Sequence, residues 1–195
     1  PFHWQAVLRI YAFLKRTRAV PLHFPSAEVA GTELAGFSDS DWRGCLETRK
    51  SHTGWLVYRG RALVAWHSAR QTTLAQSSAE AEFTAAVSLA QELCWWRLLS
   101  LDLGAPCLSA TTIWCDSSSA VSLSKHGGNF AHTKYWSWRQ WVLQEYYALG
   151  VVVVDWLPTV RQRADCLTKN LFPSAFLPAA SVMLGSDLVL AYPRH

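Results

Sequence analysis

The sequence is poor in charge and lacks the features of a membrane-spanning or secreted protein. Only 16% of its 195 residues are charged, so an acidic side chain at the end of a strand or helix stands out. No apolar stretch approaches the roughly 20 residues that a membrane span needs. No signal peptide, repeat or low-complexity segment is visible. The first residue is Pro1 and not Met, which favours a piece excised from a longer polypeptide.

Cysteine is present but in a pattern that excludes two common uses. The chain has five cysteines, an odd number, and no two of them form a Cys-x-x-Cys pair. Neither a disulfide framework nor a zinc site is therefore indicated. Cys94 and Cys115 lie in apolar runs, which is typical of small core residues. A reducing, intracellular setting fits best.

Apolar residues and tryptophan are abundant. Half of the residues are hydrophobic, which is enough for one domain with a substantial core. The net charge of +4 permits an anionic partner. We expect most of the eleven tryptophans to pack in the core, among them Trp55, Trp66, Trp95, Trp114 and Trp156. The sequence assigns no role to Trp136, Trp138 and Trp141, which lie on different faces of one predicted helix.

Hydrophobic periodicity predicts an α/β protein. The predicted helices cover 3–16, 79–103, 117–127, 131–148 and 161–170, and one weak helix follows 173. The predicted strands cover 34–42, 53–58, 62–66, 111–115 and 151–156. This order predicts a mixed five-stranded sheet, with three antiparallel strands and then parallel strands, and with helices on both faces. Ligands of such sheets bind near the carboxyl ends of strands where the strand order reverses.

Four acidic residues lie at the ends of predicted elements. Asp39 is near the end of the first strand, Glu82 is in the first turns of the long helix, Asp116 ends the fourth strand, and Asp165 follows the last strand. If those ends converge, the like charges disfavour ionisation of one another. Mg²⁺ resolves this conflict because it binds carboxylate and water oxygens.

Two neighbouring acids compete for the same assignment. Asp41 has the same strand parity as Asp39, so both side chains can face one side of the sheet. Glu80 lies two positions before Glu82, on a different face of the helix. The residue pattern alone leaves both choices open.

Five motifs carry a resemblance to a known family. They are FSDSDW at 37–42, TRKSHTG at 48–54, SSAEAEF at 77–83, WCDS at 114–117 and ADCLTK at 164–169. In this order they resemble the ribonuclease H domain of copia-type LTR-retrotransposon polyproteins. Residues 3–17 resemble the tail of the preceding reverse transcriptase. The resemblance implies four parts: 1–24, the end of the reverse transcriptase connection region; 25–33, a linker; 34–172, the ribonuclease H domain; and 173–195, a C-terminal tail.

The resemblance also implies a chemistry. The expected activity is metal-dependent hydrolysis of the RNA strand of RNA/DNA hybrids during reverse transcription, with two Mg²⁺ ions or Mn²⁺ in their place. The metal-binding and catalytic acids fall on Asp39, Glu82, Asp116 and Asp165. Asp39 would bridge both ions, Asp165 would serve the ion that activates water, and the other two would serve the ion at the leaving group. The implied partners are the hybrid and the reverse transcriptase of the same polyprotein, without a membrane. The implied location is a cytoplasmic virus-like particle or the nucleus.

The sequence also departs from the family pattern. The stretch after Thr133 and Lys134 lacks the usual His and acid, and no histidine near 158–163 can assist product release. Candidate phosphate contacts are Lys134, Arg139, Arg161 and Arg163, and candidate 2′-hydroxyl contacts are Ser38, Ser40, Ser78, Ser117 and Ser118. The alternative function is a catalytically weak or inactive ribonuclease H-like module with a structural or hybrid-binding role. An integrase is disfavoured because integrases lack the lead-in at 3–17 and typically carry three acids.

Overall fold

The computed structural model describes residues 2–26, 31–126 and 139–185. The described helices are α1 (Phe2–Thr17), α2 (Ser78–Asp102), α3 (Ser118–His126), α4 (Arg139–Ala148), α5 (Asp165–Thr168) and α6 (Pro173–Leu184). The strands are β1 (Leu34–Asp41), β2 (His52–Arg59), β3 (Ala62–Arg70), β4 (Thr111–Cys115) and β5 (Val152–Trp156). A short 3-10 turn, Thr159–Arg161, follows β5. No helix in these ranges is both long and apolar enough to cross a membrane.

The five strands form one mixed sheet in the order β3-β2-β1-β4-β5. The first three strands pair antiparallel, whereas β1 pairs parallel with β4 and β4 pairs parallel with β5. Gly60, with φ of 57°, makes the tight turn between β2 and β3. The predicted α/β class and the division into antiparallel and parallel strands are confirmed. The switch from antiparallel to parallel pairing occurs at β1, the strand that carries Asp39.

Hydrophobic residues are buried on both faces of the sheet because side chains alternate along each strand. On β2, Trp55 and Val57 face α2, and Leu56 and Tyr58 face the opposite side. The larger core lies under α2 and includes Phe83, Leu89, Leu93, Ile113, Leu143 and Val154. The smaller core includes Phe37, Leu157 and Ala164, with Leu22, Leu167 and Met183 packed against it.

The long helix α2 begins at a well-defined cap. The Ser77 side chain accepts a hydrogen bond from the Glu80 backbone N–H at 3.2 Å, and the Glu80 carboxylate accepts one from the Gln76 N–H at 2.7 Å. Small and apolar residues follow this cap, and ten residues of the helix are buried against the sheet and its neighbours. The cap therefore fixes the start of α2 and, with it, the position of Glu82 in the first turns of the helix.

Two expectations were wrong and one falls partly outside the described residues. Residues 161–170 do not form one helix, because the 3-10 turn and an extended Gln162 precede the short α5. Of the five tryptophans expected in the core only Trp55 is buried; Trp66 and Trp156 lie on the edge strands β3 and β5 and are 57% and 53% exposed. Helix α4 confirms residues 139–148 of the predicted helix 131–148, whose remaining residues, with Trp136 and Trp138, lie outside the described ranges.

Candidate metal centre

The acids at the strand ends meet because β1 and β4 are parallel neighbours. Their carboxyl ends lie at the same edge of the sheet, the usual place for ligands in folds of this kind. Asp39 is fully buried and lies two residues before the end of β1. Asp41 lies two residues further, and its carboxylate lies against Gly44 in the turn after the strand.

The first turns of α2 bring a second carboxylate to this edge. Glu82 is buried, whereas Glu80 is engaged in the helix cap. The Ser40 backbone lies close enough to the Glu82 carboxylate to lower its pKa slightly, so the helix start lies beside the end of β1. The oxygen Oε2 of Glu82 is buried and has no hydrogen-bond partner among the described residues. The two neighbouring glutamates thus have different environments.

Asp116 follows β4 and lies beside Glu82. Ligand atoms of Glu82, Cys115 and Asp116 all lie within 4.8 Å of one another. The Thr159 hydroxyl donates to Asp116 Oδ2 at 2.8 Å, and the Trp156 indole N–H donates to the Asp116 backbone oxygen at 3.0 Å. The end of β5 and the turn after it therefore hold Asp116 in place.

The short helix α5 provides the fourth carboxylate and two further contacts. The Lys169 ammonium donates to Asp165 Oδ1 at 2.5 Å and to Asp39 Oδ1 at 3.3 Å. The Thr168 hydroxyl donates to Asp39 Oδ2. Asp39 and Asp165 are thus joined through one ammonium group, and the charges of Asp39 and Asp116 both act on Glu82, so the four predicted acids lie near one another. Among the described residues, the group with ligand atoms within 4.8 Å contains Glu82 and Asp116 but not Asp39 or Asp165.

A glycine and a glutamine position α5 against the sheet. Gly54 pairs with Asp39 across β1 and β2, and a Cβ atom at Gly54 would lie 2.6 Å from Thr168 Cγ2 and 2.9 Å from Leu167 Cβ. Only a residue without a side chain allows this approach. The buried Gln162 amide donates to the Ser38 backbone oxygen at 2.9 Å, and its side-chain oxygen accepts from the Ala164 N–H. These contacts anchor the segment before α5 to β1.

The electrostatics of the cluster follow from its burial. Burial, and then the charges of Asp39 and Asp116, raise the pKa of Glu82 to about 9. Burial also raises the pKa of Asp39, against the lowering effects of Thr168 and Lys169. Burial by itself lowers the pKa of Lys169, but its hydrogen bond to Asp165 and the charge of Asp39 outweigh that effect and raise the pKa. Lys169 therefore stays charged, and it supplies a positive charge to a cluster in which burial and like charges oppose the ionisation of Glu82.

The donor set fits a hard divalent cation. It consists of carboxylates, and the buried Glu82 Oε2 has no partner among the described residues. Burial raises the pKa of Cys115 to about 12, so its sulfur is a thiol in the metal-free protein. The chemistry thus suits Mg²⁺ or Mn²⁺ better than a metal that prefers thiolate.

The other candidate substrate contacts have mixed positions. Ser38 and Ser40 are buried, and Ser117 accepts from the Ala120 N–H, so these three are not free surface hydroxyls. Ser78 and Ser118 are exposed. The Arg163 guanidinium lies over the rings of Phe37 and Tyr58, 4.9 Å from each centroid, on the face away from α2. Arg161 is exposed, while Lys134 and the Arg139 side chain lie outside the described residues.

Sequence reasoning missed Gly54, Gln162, Thr168 and the position of Lys169. Lys169 follows Asp165 by four residues, a spacing that brings side chains together on a helix. That spacing is a readable signal. Gly54 ends the TRKSHTG motif, but no local pattern shows that Gly54 and Gln162 contact parts of the chain that are far away in sequence.

Comparisons with known proteins agree with this geometry. No protein-family model matches the chain. It is 32% identical over 167 residues to the retrovirus-related Pol polyprotein from transposon TNT 1-94 of Nicotiana tabacum, covering 86% of this chain and 12% of that protein. It is 30% identical over 175 residues to the corresponding polyprotein from transposon RE2 of Arabidopsis thaliana, covering 89% of this chain and 12% of that protein. The chain thus spans about an eighth of the length of these relatives.

A solved structure supports the fold. The crystal structure of LC11-RNase H1, determined with an RNA/DNA hybrid, matches with a TM-score of 0.51 and 13% identity, covering 73% of this chain and 99% of that chain. The expected ribonuclease H-like fold is confirmed. The chain belongs to the family of retrovirus-related Pol polyproteins of copia-type transposons, as a ribonuclease H-like segment of such a polyprotein.

Proposed function

We propose that the chain is a metal-dependent endonuclease that hydrolyses the RNA strand of RNA/DNA hybrids. The observation that carries the proposal is the convergence of Asp39, Glu82, Asp116 and Asp165 at one edge of the sheet, with a buried Glu82 oxygen that has no partner among the described residues. A protein that only binds nucleic acid gains nothing from acids placed against a phosphate. The cluster is therefore better explained by catalysis.

The four acids would hold two Mg²⁺ ions. Bound ions supply an activated water, an aligned path and neutralisation of the leaving oxygen. The residues of this chain fix the carboxylates in place. Thr159 orients Asp116, and Thr168 orients Asp39.

The proposed substrate follows from the fold and from the surface charge. A hybrid is recognised by its width, its phosphates and its 2′-hydroxyl groups. The exposed side chains of Arg161, Ser78 and Ser118 belong to the segments that carry the acids and can meet such groups. Phosphate contacts make affinity fall as salt rises. The hybrid bound by LC11-RNase H1 supports this choice.

The test is cleavage of a hybrid with a labelled RNA strand in the presence of Mg²⁺. We expect Asp39→Asn and Glu82→Gln each to lower the rate about a hundredfold or more, since each removes a charge that binds cations. Glu80→Gln is the matched control, because its amide oxygen still accepts from the Gln76 N–H. Equal loss in Glu80→Gln and Glu82→Gln would refute the site. If the parent protein binds the hybrid in a salt-sensitive way but does not cleave it, the proposed nuclease activity is refuted.

One observation favours the second candidate, a hybrid-binding module without catalysis. Lys169 forms ion pairs with Asp39 and Asp165, so it neutralises part of the cluster without a metal. In this case the parent and Asp39→Asn proteins bind the hybrid and neither cleaves it. The same assay therefore separates the two functions.

We also propose the division of the chain at residues 24, 33 and 172. Helix α1 contacts the rest of the protein through Phe13, whose ring lies 5.7 Å from that of Phe176 in an edge-to-face arrangement. Neither hydrophobic core includes a side chain of α1 that the structure describes. Its exposed Trp4 and Tyr11 are in keeping with a segment that belongs to the preceding reverse transcriptase.

A further inference from the structure

Lys169 occupies a position that the proposed metal centre needs for its cations. Its ammonium group contacts the Oδ1 atoms of Asp165 and Asp39 at 2.5 and 3.3 Å. Thr168 donates to Oδ2 of Asp39, so both oxygens of this buried carboxylate have protein partners. A divalent ion that binds Asp39 therefore meets the positive charge of Lys169 beside the same carboxylate.

Of the two, the lysine is the partner that is free to move. The Thr168 side chain lies against Gly54 and its hydroxyl also contacts the Asp165 backbone oxygen at 3.3 Å, whereas the Lys169 side chain is 35% exposed. The Lys169 backbone N–H donates to the Asp165 oxygen at 3.0 Å, so the main chain can stay in place while the side chain swings out. A lysine stem is flexible and its ammonium group is readily hydrated, unlike the planar fork of an arginine. The route from the cluster to solvent is therefore short.

We propose that Lys169 is an internal counter-cation, which balances the acid cluster in the metal-free protein and leaves it when divalent ions bind. This inference rests on the proposed metal-dependent function. In the metal-free protein the ammonium group reduces repulsion between Asp39 and Asp165 and keeps α5 docked. When Mg²⁺ binds, the same charge competes with the metal for the same oxygens. Lys169 thus stabilises the fold and weakens metal binding.

Three variants separate these two effects. Lys169→Met keeps an unbranched stem and removes the charge, and Lys169→Gln keeps a hydrogen-bond donor in case the methionine variant does not fold. Lys125→Met is the matched control, since Lys125 pairs with Asp155 at 2.7 Å outside the cluster. Thermal unfolding is measured in EDTA and across a Mg²⁺ titration, so the readout does not depend on cleavage.

We expect both Lys169 variants to melt at a lower temperature in EDTA and to reach half of their Mg²⁺-induced stabilisation at a Mg²⁺ concentration lower by about tenfold or more. Lys125→Met should reach half of its Mg²⁺-induced stabilisation at the same Mg²⁺ concentration as the parent protein; this concentration is the Mg²⁺ midpoint. A Mg²⁺ response in the Lys169 variants but not in the parent would also support the inference, because it would show that the lysine blocks the site.

An unchanged Mg²⁺ midpoint in both Lys169 variants would overturn the counter-cation role. The role would also be overturned if neither the parent nor any variant were stabilised by Mg²⁺. Cleavage is scored separately on the same samples. If the midpoints shift as expected but no protein cleaves the hybrid, the inference stands and the proposed nuclease function fails. If the parent cleaves and the midpoints do not shift, the function stands and the inference fails.

Discussion

Replacing Gly54 by alanine is expected to disable the metal centre while leaving the sheet folded. The new Cβ would lie 2.6 Å from Thr168 Cγ2, 2.9 Å from Leu167 Cβ and 3.3 Å from the Ala164 carbonyl oxygen. Because two of these neighbours are backbone or Cβ atoms, side-chain rotation cannot relieve the overlap, and α5 has to move away from β2. Asp165, Thr168 and Lys169 move with it, so Asp39 loses its partners.

The expected magnitudes differ for stability and for activity. Overpacking of this kind costs about 1–3 kcal/mol. The lower entropy of an alanine in the unfolded chain offsets about 0.4–1 kcal/mol of that cost. A displacement of about 1 Å at a reacting centre can lower a rate a hundredfold. Gly54→Ala should therefore unfold at a slightly lower temperature and cleave the hybrid at about one hundredth of the parent rate or less.

A control and a rescue test this reasoning. Gly36→Ala on β1 also overpacks, because its Cβ would lie 2.7 Å from Leu89 Cδ2, but it does so under α2 and away from α5. It should lose stability and keep cleavage. Thr168→Ser removes the Cγ2 atom and keeps the hydroxyl that donates to Asp39, so adding it to Gly54→Ala should restore part of the rate. Equal activity of Gly54→Ala and Gly36→Ala in single-turnover cleavage would refute the argument.

Two further predictions concern stability. In the metal-free protein the pKa of Glu82 is raised from 4.5 to about 9, so Glu82 takes up a proton on folding, and its contribution to stability declines as pH rises through that range. Glu82→Gln should flatten this decline in urea unfolding with EDTA, and a parallel pH dependence in both proteins would contradict the assignment. Deleting residues 1–17 removes α1 and its aromatic contact with Phe176, which should cost about 0.5–1.5 kcal/mol. Hybrid cleavage should persist, and loss of cooperative unfolding would show that α1 belongs to the domain.

The sequence predicts the sheet well where the local pattern and the packing agree. The β-branched run marks β5 as a strand, the turn signal at Gly60 marks the hairpin, and the bounds of β4 are those expected. The local sequence pattern could not predict that Trp66 and Trp156 are exposed. An edge strand and a central strand can share one pattern, and only the strand order 3-2-1-4-5 shows which strands are at the edges.

The acid cluster was predictable in its carboxylates but not in its supports. The motifs select Asp39 over Asp41 and Glu82 over Glu80, and the structure gives the two unselected acids other roles, beside Gly44 and in the helix cap. Residues 161–170 were wrongly expected to be one helix, because a helical pattern does not show that Gln162 bonds to β1. Gly54 allows α5 to pack against β2, although more than 100 residues separate the two in sequence.

The contacts of Asp39 with the end of the domain also bear on the order of synthesis. Its partners Thr168 and Lys169 follow it by 129 and 130 residues. When β1, β2 and β3 have left the ribosome, Asp39 has therefore been made, but Thr168 and Lys169 have not yet been synthesised. The acid cluster therefore cannot assemble on the nascent chain until α5 and Lys169 have left the exit tunnel.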